Sequence, residues 1–165
     1  MHMPIVLAAL LAAVAPAAFA HGGSHDKKPT RKDSAQIVEE KPFGRAGDPA
    51  KATRTVRIEG RDTMRYTPSR ITVKQGETVR FVVKNAGKLM HETVIGTKDE
   101  LDEHYELMKK FPEMEHDEPH MVHLKPGETG EMFWEFTKAG EFFFACLIPG
   151  HYEAGMFGTI KVVAR

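Results

Sequence analysis

The chain has 165 residues, with 23 Lys and Arg against 23 Asp and Glu and therefore no formal net charge. That balance offers no electrostatic footprint for nucleic acid, and the length suits one compact domain with extensions. A single cysteine excludes an intrachain disulfide framework.

Residues 1–20 read as a signal peptide. An apolar run extends from Ile5 to Val14, and Ala18-Phe19-Ala20 supplies a small-x-small cleavage site, although the start carries His2 rather than Lys or Arg. The run is short for a span and is interrupted by Pro16, so no membrane span is expected after cleavage. The expected location is a bacterial periplasm. Cleavage would leave His21 at the new N-terminus, where its amine and imidazole, joined by His25, make a candidate N-terminal copper site. The bland alternative, which the composition favours, is a solvated tail. Lys27 to Ala52 is rich in Lys, Asp, Glu, Pro and Gly. Residues 21–52 thus read as a flexible His-containing arm or linker, and 53–165 as the folded domain.

Within the domain, apolar and polar residues alternate over Thr53–Glu59, Arg70–Lys74 and Thr78–Lys84. These are strands with one wet face, separated by turns at Pro68, Gln75-Gly76 and Asn85-Ala86-Gly87. His91–Ile95 is a further short strand. Thr97-Lys98-Asp99-Glu100 is a capping box. Leu101, Tyr105, Met108 and Phe111 then share one helical face until Pro112 stops it. Strands resume at Met121–Leu124, Gly130–Thr137, Glu141–Cys146 and Gly158–Val163. Many short strands and one helix predict an all-β sandwich with a single inserted short helix.

Nine His and nine Met are many for this length, and they cluster after the helix. Met114, His116, His120, Met121 and His123 form a candidate second copper site, because thioether suits Cu(I) and imidazole suits Cu(II). A solvated loop with Met121 turned into the core is the alternative. If Val122 and Leu124 are buried, strand alternation leaves Met121 and His123 outward.

The densest chemistry lies in Cys146-Leu147-Ile148-Pro149-Gly150-His151-Tyr152-Glu153-Ala154-Gly155-Met156. A thiolate, an imidazole and a thioether on one loop are soft ligands, and their geometry is a His₂Cys plane with a weak axial Met. The missing histidine is best supplied by His91, at the start of a strand. Singly, Cys146 and Met156 read as core and the histidines as surface residues; their order and spacing carry the metal reading. An unpaired thiol in an oxidising compartment is a liability unless buried or metal-bound, which points the same way.

On these residues the chain resembles a cupredoxin, the blue-copper fold of plastocyanin, azurin and rusticyanin. The Cys-x4-His-x4-Met spacing is similar to that of rusticyanin and auracyanin. Tyr66 to Glu77 and Gly158-Thr159-Ile160 also fit, and the likeness spans roughly Thr53 to Arg165. The Met- and His-bearing insertion most resembles periplasmic copper-tolerance cupredoxins of the CopI type. The resemblance implies a Greek-key sandwich and one type 1 copper held by His91, Cys146, His151 and Met156, with room for additional, weaker copper. It implies copper tolerance, through copper binding and Cu(I) oxidation or electron transfer, with copper ions and a periplasmic redox or copper-transport protein as partners. A dedicated electron carrier is the alternative. No enzyme is expected: Ala145 and Leu147 flank Cys146, where an oxidase would place histidines. Where several cupredoxins have Asn or Ser after the first His, this chain has Glu92, so the bracing of the Cys146 loop is open.

Overall fold

A computed structural model describes residues 39–112 and 117–165. Eleven strands and one α-helix follow in chain order. They are β1 (Glu40–Lys41), β2 (Gly44–Ala46), β3 (Arg54–Arg61), β4 (Arg65–Thr67), β5 (Arg70–Lys74), β6 (Thr78–Asn85) and β7 (His91–Gly96), then α1 (Lys98–Lys110), and finally β8 (Met121–Leu124), β9 (Thr129–Glu135), β10 (Gly140–Ala145) and β11 (Phe157–Val163). One sheet runs β1-β2-β9-β6-β3-β4 and the other β5-β11-β10-β7-β8. The β3–β6 and β5–β11 pairs are parallel, and the remaining pairs are antiparallel. The expected all-β, two-sheet architecture with one short inserted helix is what forms.

The alternation read from the sequence becomes the sandwich core. Val56 and Ile58 of β3, Ile71 and Val73 of β5, and Phe81 and Val83 of β6 turn inward with Trp134, Phe144 and Ile160. Their neighbours along each strand face out, which is the period-two signature of a sheet with one buried face.

Strand β7 departs from that pattern, since all six of its residues are buried. The reason is α1, which lies against the outer face of its sheet. Leu101, Tyr105 and Met108 pack there on Val94, Met121, Ala145 and Leu147. The helix begins as expected, with the Thr97 side chain accepting from the Glu100 N–H and the Glu100 carboxylate accepting from the Thr97 N–H. Phe111, expected on the buried face, is its exposed C-cap.

Two expectations change. The arm was expected to stay loose as far as Ala52, yet β1 and β2 form a hairpin whose second strand pairs with β9. Phe43, at the hairpin turn, is 1% exposed and stacks on Trp134, whose indole N–H donates to the Phe43 carbonyl. The next residue must be glycine. Gly44 has φ +127°, and a Cβ there would sit 2.1 Å from the Glu135 carbonyl oxygen. The second change concerns β8. Met121 is buried under α1, and Leu124 is buried in the sandwich, because both faces of this sheet are covered. Met121 is therefore not outward. Among the described residues, no helix is long and apolar enough to cross a membrane. The signal-peptide reading and the first part of the arm lie outside the described residues.

Candidate metal centre

Three strand ends meet at one pole of the sandwich. Cys146 follows β10, His91 opens the neighbouring β7, and the loop from Cys146 returns through Met156 into β11. The loop is closed by its own backbone. The Cys146 N–H donates to the Met156 carbonyl at 3.0 Å, the Met156 N–H to the His151 carbonyl at 3.0 Å, and the His151 N–H to the Ile148 carbonyl at 2.9 Å. Candidate ligand residues are thereby held by main-chain bonds rather than by a free loop. Cys146 and Met156 are both fully buried in the same core cluster.

Ligand atoms of His91, Cys146 and His151 all lie within 4.8 Å of one another. Cys146 Sγ is 3.3 Å from His151 Nδ1, and the two imidazole rings are 5.0 Å apart. His91 is almost wholly buried, and its Nε2 lies 3.0 Å from Asp62 Oδ1. Asp62 also accepts from the Lys88 N–H at 2.7 Å and the Leu89 N–H at 3.3 Å. The Lys88 hydrogen bond, chiefly, holds its carboxyl below the usual carboxylate range. An ionised Asp62 therefore takes the Nε2–H of His91 and leaves the Nδ1 lone pair facing inward. Gly87 makes that contact possible, since a Cβ there would sit 1.9 Å from Asp62 Oδ1.

The residues fit a soft metal ion. His91 Nδ1 is buried and has no hydrogen-bond partner. An orphaned buried polar atom costs about 1–3 kcal/mol, and coordination would remove that cost. Burial, followed by the nearby His91, pushes the His151 imidazole down, so it is neutral and able to ligate at neutral pH. Burial pushes the Cys146 thiol up to about 12. Without an ion the sulfur keeps its proton, and metal binding must release it.

The described candidates for a second site have separate surroundings. The His120 ring packs against Phe43 and Trp134, Met121 lies beneath α1, and His123 Nε2 is 2.7 Å from Glu92 Oε2. Among the described residues, the metal-competent cluster is the one at His91, Cys146 and His151. Met114, His116, His21 and His25 lie outside the described residues. Glu92 does take the bracing place, its Oε1 accepting from the Leu147 N–H at 2.7 Å. On the strands that flank this loop, Phe144 of β10 is fully buried, whereas Phe157 of β11 is nearly half exposed.

Asp62 was missed from sequence. It stands 29 positions before His91 in an ordinary turn, and no spacing rule links the two. Partners of this kind orient a ligating imidazole. Asp62→Ala is expected to weaken metal binding by about 10–100-fold, measured by competition with a chelator. An unchanged affinity would remove Asp62 from the site.

Comparison with known proteins agrees with this geometry. Residues 52–163 match the model of the family described as copper binding proteins, plastocyanin/azurin family. A copper-resistant cuproprotein CopI of Rubrivivax gelatinosus is 56% identical over 124 residues, covering 75% of this chain and 74% of that protein. The CopI of Pseudomonas aeruginosa is 35% identical, covering 96% and 93%. Among solved structures, auracyanin B aligns with a TM-score of 0.61 at 20% identity, over 73% of this chain and 96% of that one. The reduced auracyanin of Roseiflexus castenholzii aligns at 0.59 and 22%, over 68% and 98%. These structural likenesses bear on the fold alone.

Proposed function

Because the chain belongs to the plastocyanin/azurin family of copper-binding proteins, as a cupredoxin of the CopI type, we propose that it is an exported protein that binds one copper in a type 1 site and supports copper tolerance. The observation that carries this reading is the convergence of the His91, Cys146 and His151 ligand atoms within 4.8 Å, with a partnerless buried Nδ1 on His91. Met156, buried and hydrogen-bonded to Cys146 through the main chain, would offer its thioether as a fourth ligand. The CopI proteins of Rubrivivax gelatinosus and Pseudomonas aeruginosa are named copper-resistant cuproproteins, which supports the tolerance role.

Copper held here supplies a one-electron couple and a thiolate charge-transfer absorption. The protein's own contribution is positional. Asp62 aims His91, the closed loop keeps His151 and Met156 at a set distance from Cys146, and the fully buried sulfur is kept from water. Nothing in the proposal converts an organic substrate.

A dedicated electron carrier is the second reading, and the partial exposure of His151 beside a buried His91 favours it, because an exposed ligand edge lets electrons in and out. Growth on excess copper separates the two. A strain lacking the protein is expected to grow poorly, and Cys146→Ser is expected not to restore it. Growth equal to the parent would discard the tolerance role and leave the carrier.

A further inference from the structure

We propose that Tyr152 is a positioning residue whose hydroxyl fastens the ligand loop to α1 through Asp102 and thereby slows the loss of copper; this rests on the copper-site reading above. Tyr152 directly follows His151. Its hydroxyl donates to Asp102 Oδ1 at 2.8 Å, across 50 positions of chain. Lys98, one turn earlier in α1, donates to the same carboxylate, and its ammonium lies 5.8 Å from the centre of the Tyr152 ring. The ring itself packs on Tyr105 of α1 at 5.1 Å and on Phe157 of β11 at 6.1 Å between centroids.

Packing alone does not call for this bond. Leu101, Tyr105 and Met108 already bury the face that α1 presents to the sheet. A phenylalanine at 152 would make the same ring contacts with Tyr105 and Phe157. What the hydroxyl adds is a directional link between the inserted helix and the turn that begins at His151. An exposed ion pair contributes little by itself, so the part of Lys98 is to hold the Asp102 carboxylate in place for the tyrosine.

The link acts where copper must leave. His91, Cys146 and Met156 are buried, and His151 is the partly exposed member of the set. Release therefore begins most easily at His151, and it requires the turn 151–155 to open. In that turn the Gly155 N–H donates to the Tyr152 carbonyl at 2.9 Å, and the Met156 N–H donates to the His151 carbonyl at 3.0 Å. Arg65 of β4 fixes the same turn, its Nη1 donating to the Ala154 carbonyl at 2.6 Å. Because Arg65 remains, removing the tyrosine hydroxyl loosens the turn without freeing it. Such local opening is governed by its own contacts and is distinct from global unfolding.

The test compares wild type, Tyr152→Phe, Asp102→Ala and the double variant. A strong chelator withdraws copper from the loaded proteins, timed by the fading of the thiolate absorption. Hydrogen exchange at the Gly155 and Met156 amides is followed on the copper-free proteins. Each single variant is expected to lose copper about fivefold faster, the rate equivalent of one ordinary hydrogen bond, and to exchange both amides faster. The double variant is expected to match the single ones, because both changes remove the same bond. Phe43→Ala, which opens a cavity beside Trp134 and leaves this link intact, is expected to release copper at the wild-type rate. Release from Phe43→Ala as fast as from Tyr152→Phe would reduce the effect to general stability and overturn the proposal. Effects that multiply in the double variant overturn it as well. A wild type that gains no thiolate absorption with copper overturns the site reading and this inference together. A coloured wild type whose release and exchange rates are matched by Tyr152→Phe overturns this inference alone.

Discussion

Replacing Cys146 by serine abolishes the intense visible absorption of the copper-loaded protein and weakens copper binding by more than the roughly 10–100-fold that loss of an outer partner costs. The absorption requires a sulfur–copper bond, and no other cysteine exists in the chain to supply one. A serine hydroxyl is a hard, neutral donor, whereas copper of this kind selects thiolate. The fold survives the change, because the new hydroxyl has polar neighbours at hand: the Glu92 N–H and His151 Nδ1, now 3.5 Å and 3.3 Å from the sulfur. Visible spectra and a copper titration on the folded variant check it. Colour that persists in the serine protein would reject the ligand assignment.

The second large effect lies far from the metal. Phe43→Ala is expected to destabilise the domain by about 3–5 kcal/mol, the usual range for truncating a buried aromatic side chain. Phe43 is 1% exposed, stacks on Trp134 at 4.9 Å between ring centroids, and touches the rings of His120 and Phe142. Alanine would leave a cavity between the two sheets, and the surrounding side chains can only partly collapse into it. Urea unfolding reads this as a lower midpoint at unchanged slope. Glu39→Ala, at an exposed position just before the hairpin, is the control and should leave the midpoint in place. If Phe43→Ala also left it in place, residues 40–46 would be the loose arm that composition implies.

That contrast marks how far local pattern reaches. The hairpin is short and polar, with Phe43 its only large apolar residue, so no window around it has a period. It exists because β2 pairs with β9, some 90 positions away, and because Phe43 finds Trp134. Asp62 and His91 show the same limit inside the site, since an ordinary turn aspartate acquires its role only when β3 and β7 are brought together. Met121 and His123 show it too. Alternation correctly separates them from Leu124, but it cannot say that α1 covers the second face or that Glu92 waits across the strand pair.

By itself, the sequence determined β3, the strands from β5 through β11, the capped helix and the soft-ligand loop. Each is encoded by neighbours in the chain: a period of two, a Thr and Glu three apart, and a Cys, His and Met within eleven residues. Tertiary structure alone decided the start of the domain, the pairing of Asp62 with His91 and of Glu92 with His123, and the burial of Met121 beneath α1. Local spacing reports whether a face is wet or dry. Which distant element makes it dry is chosen by packing across the whole chain, and that leaves no periodic trace.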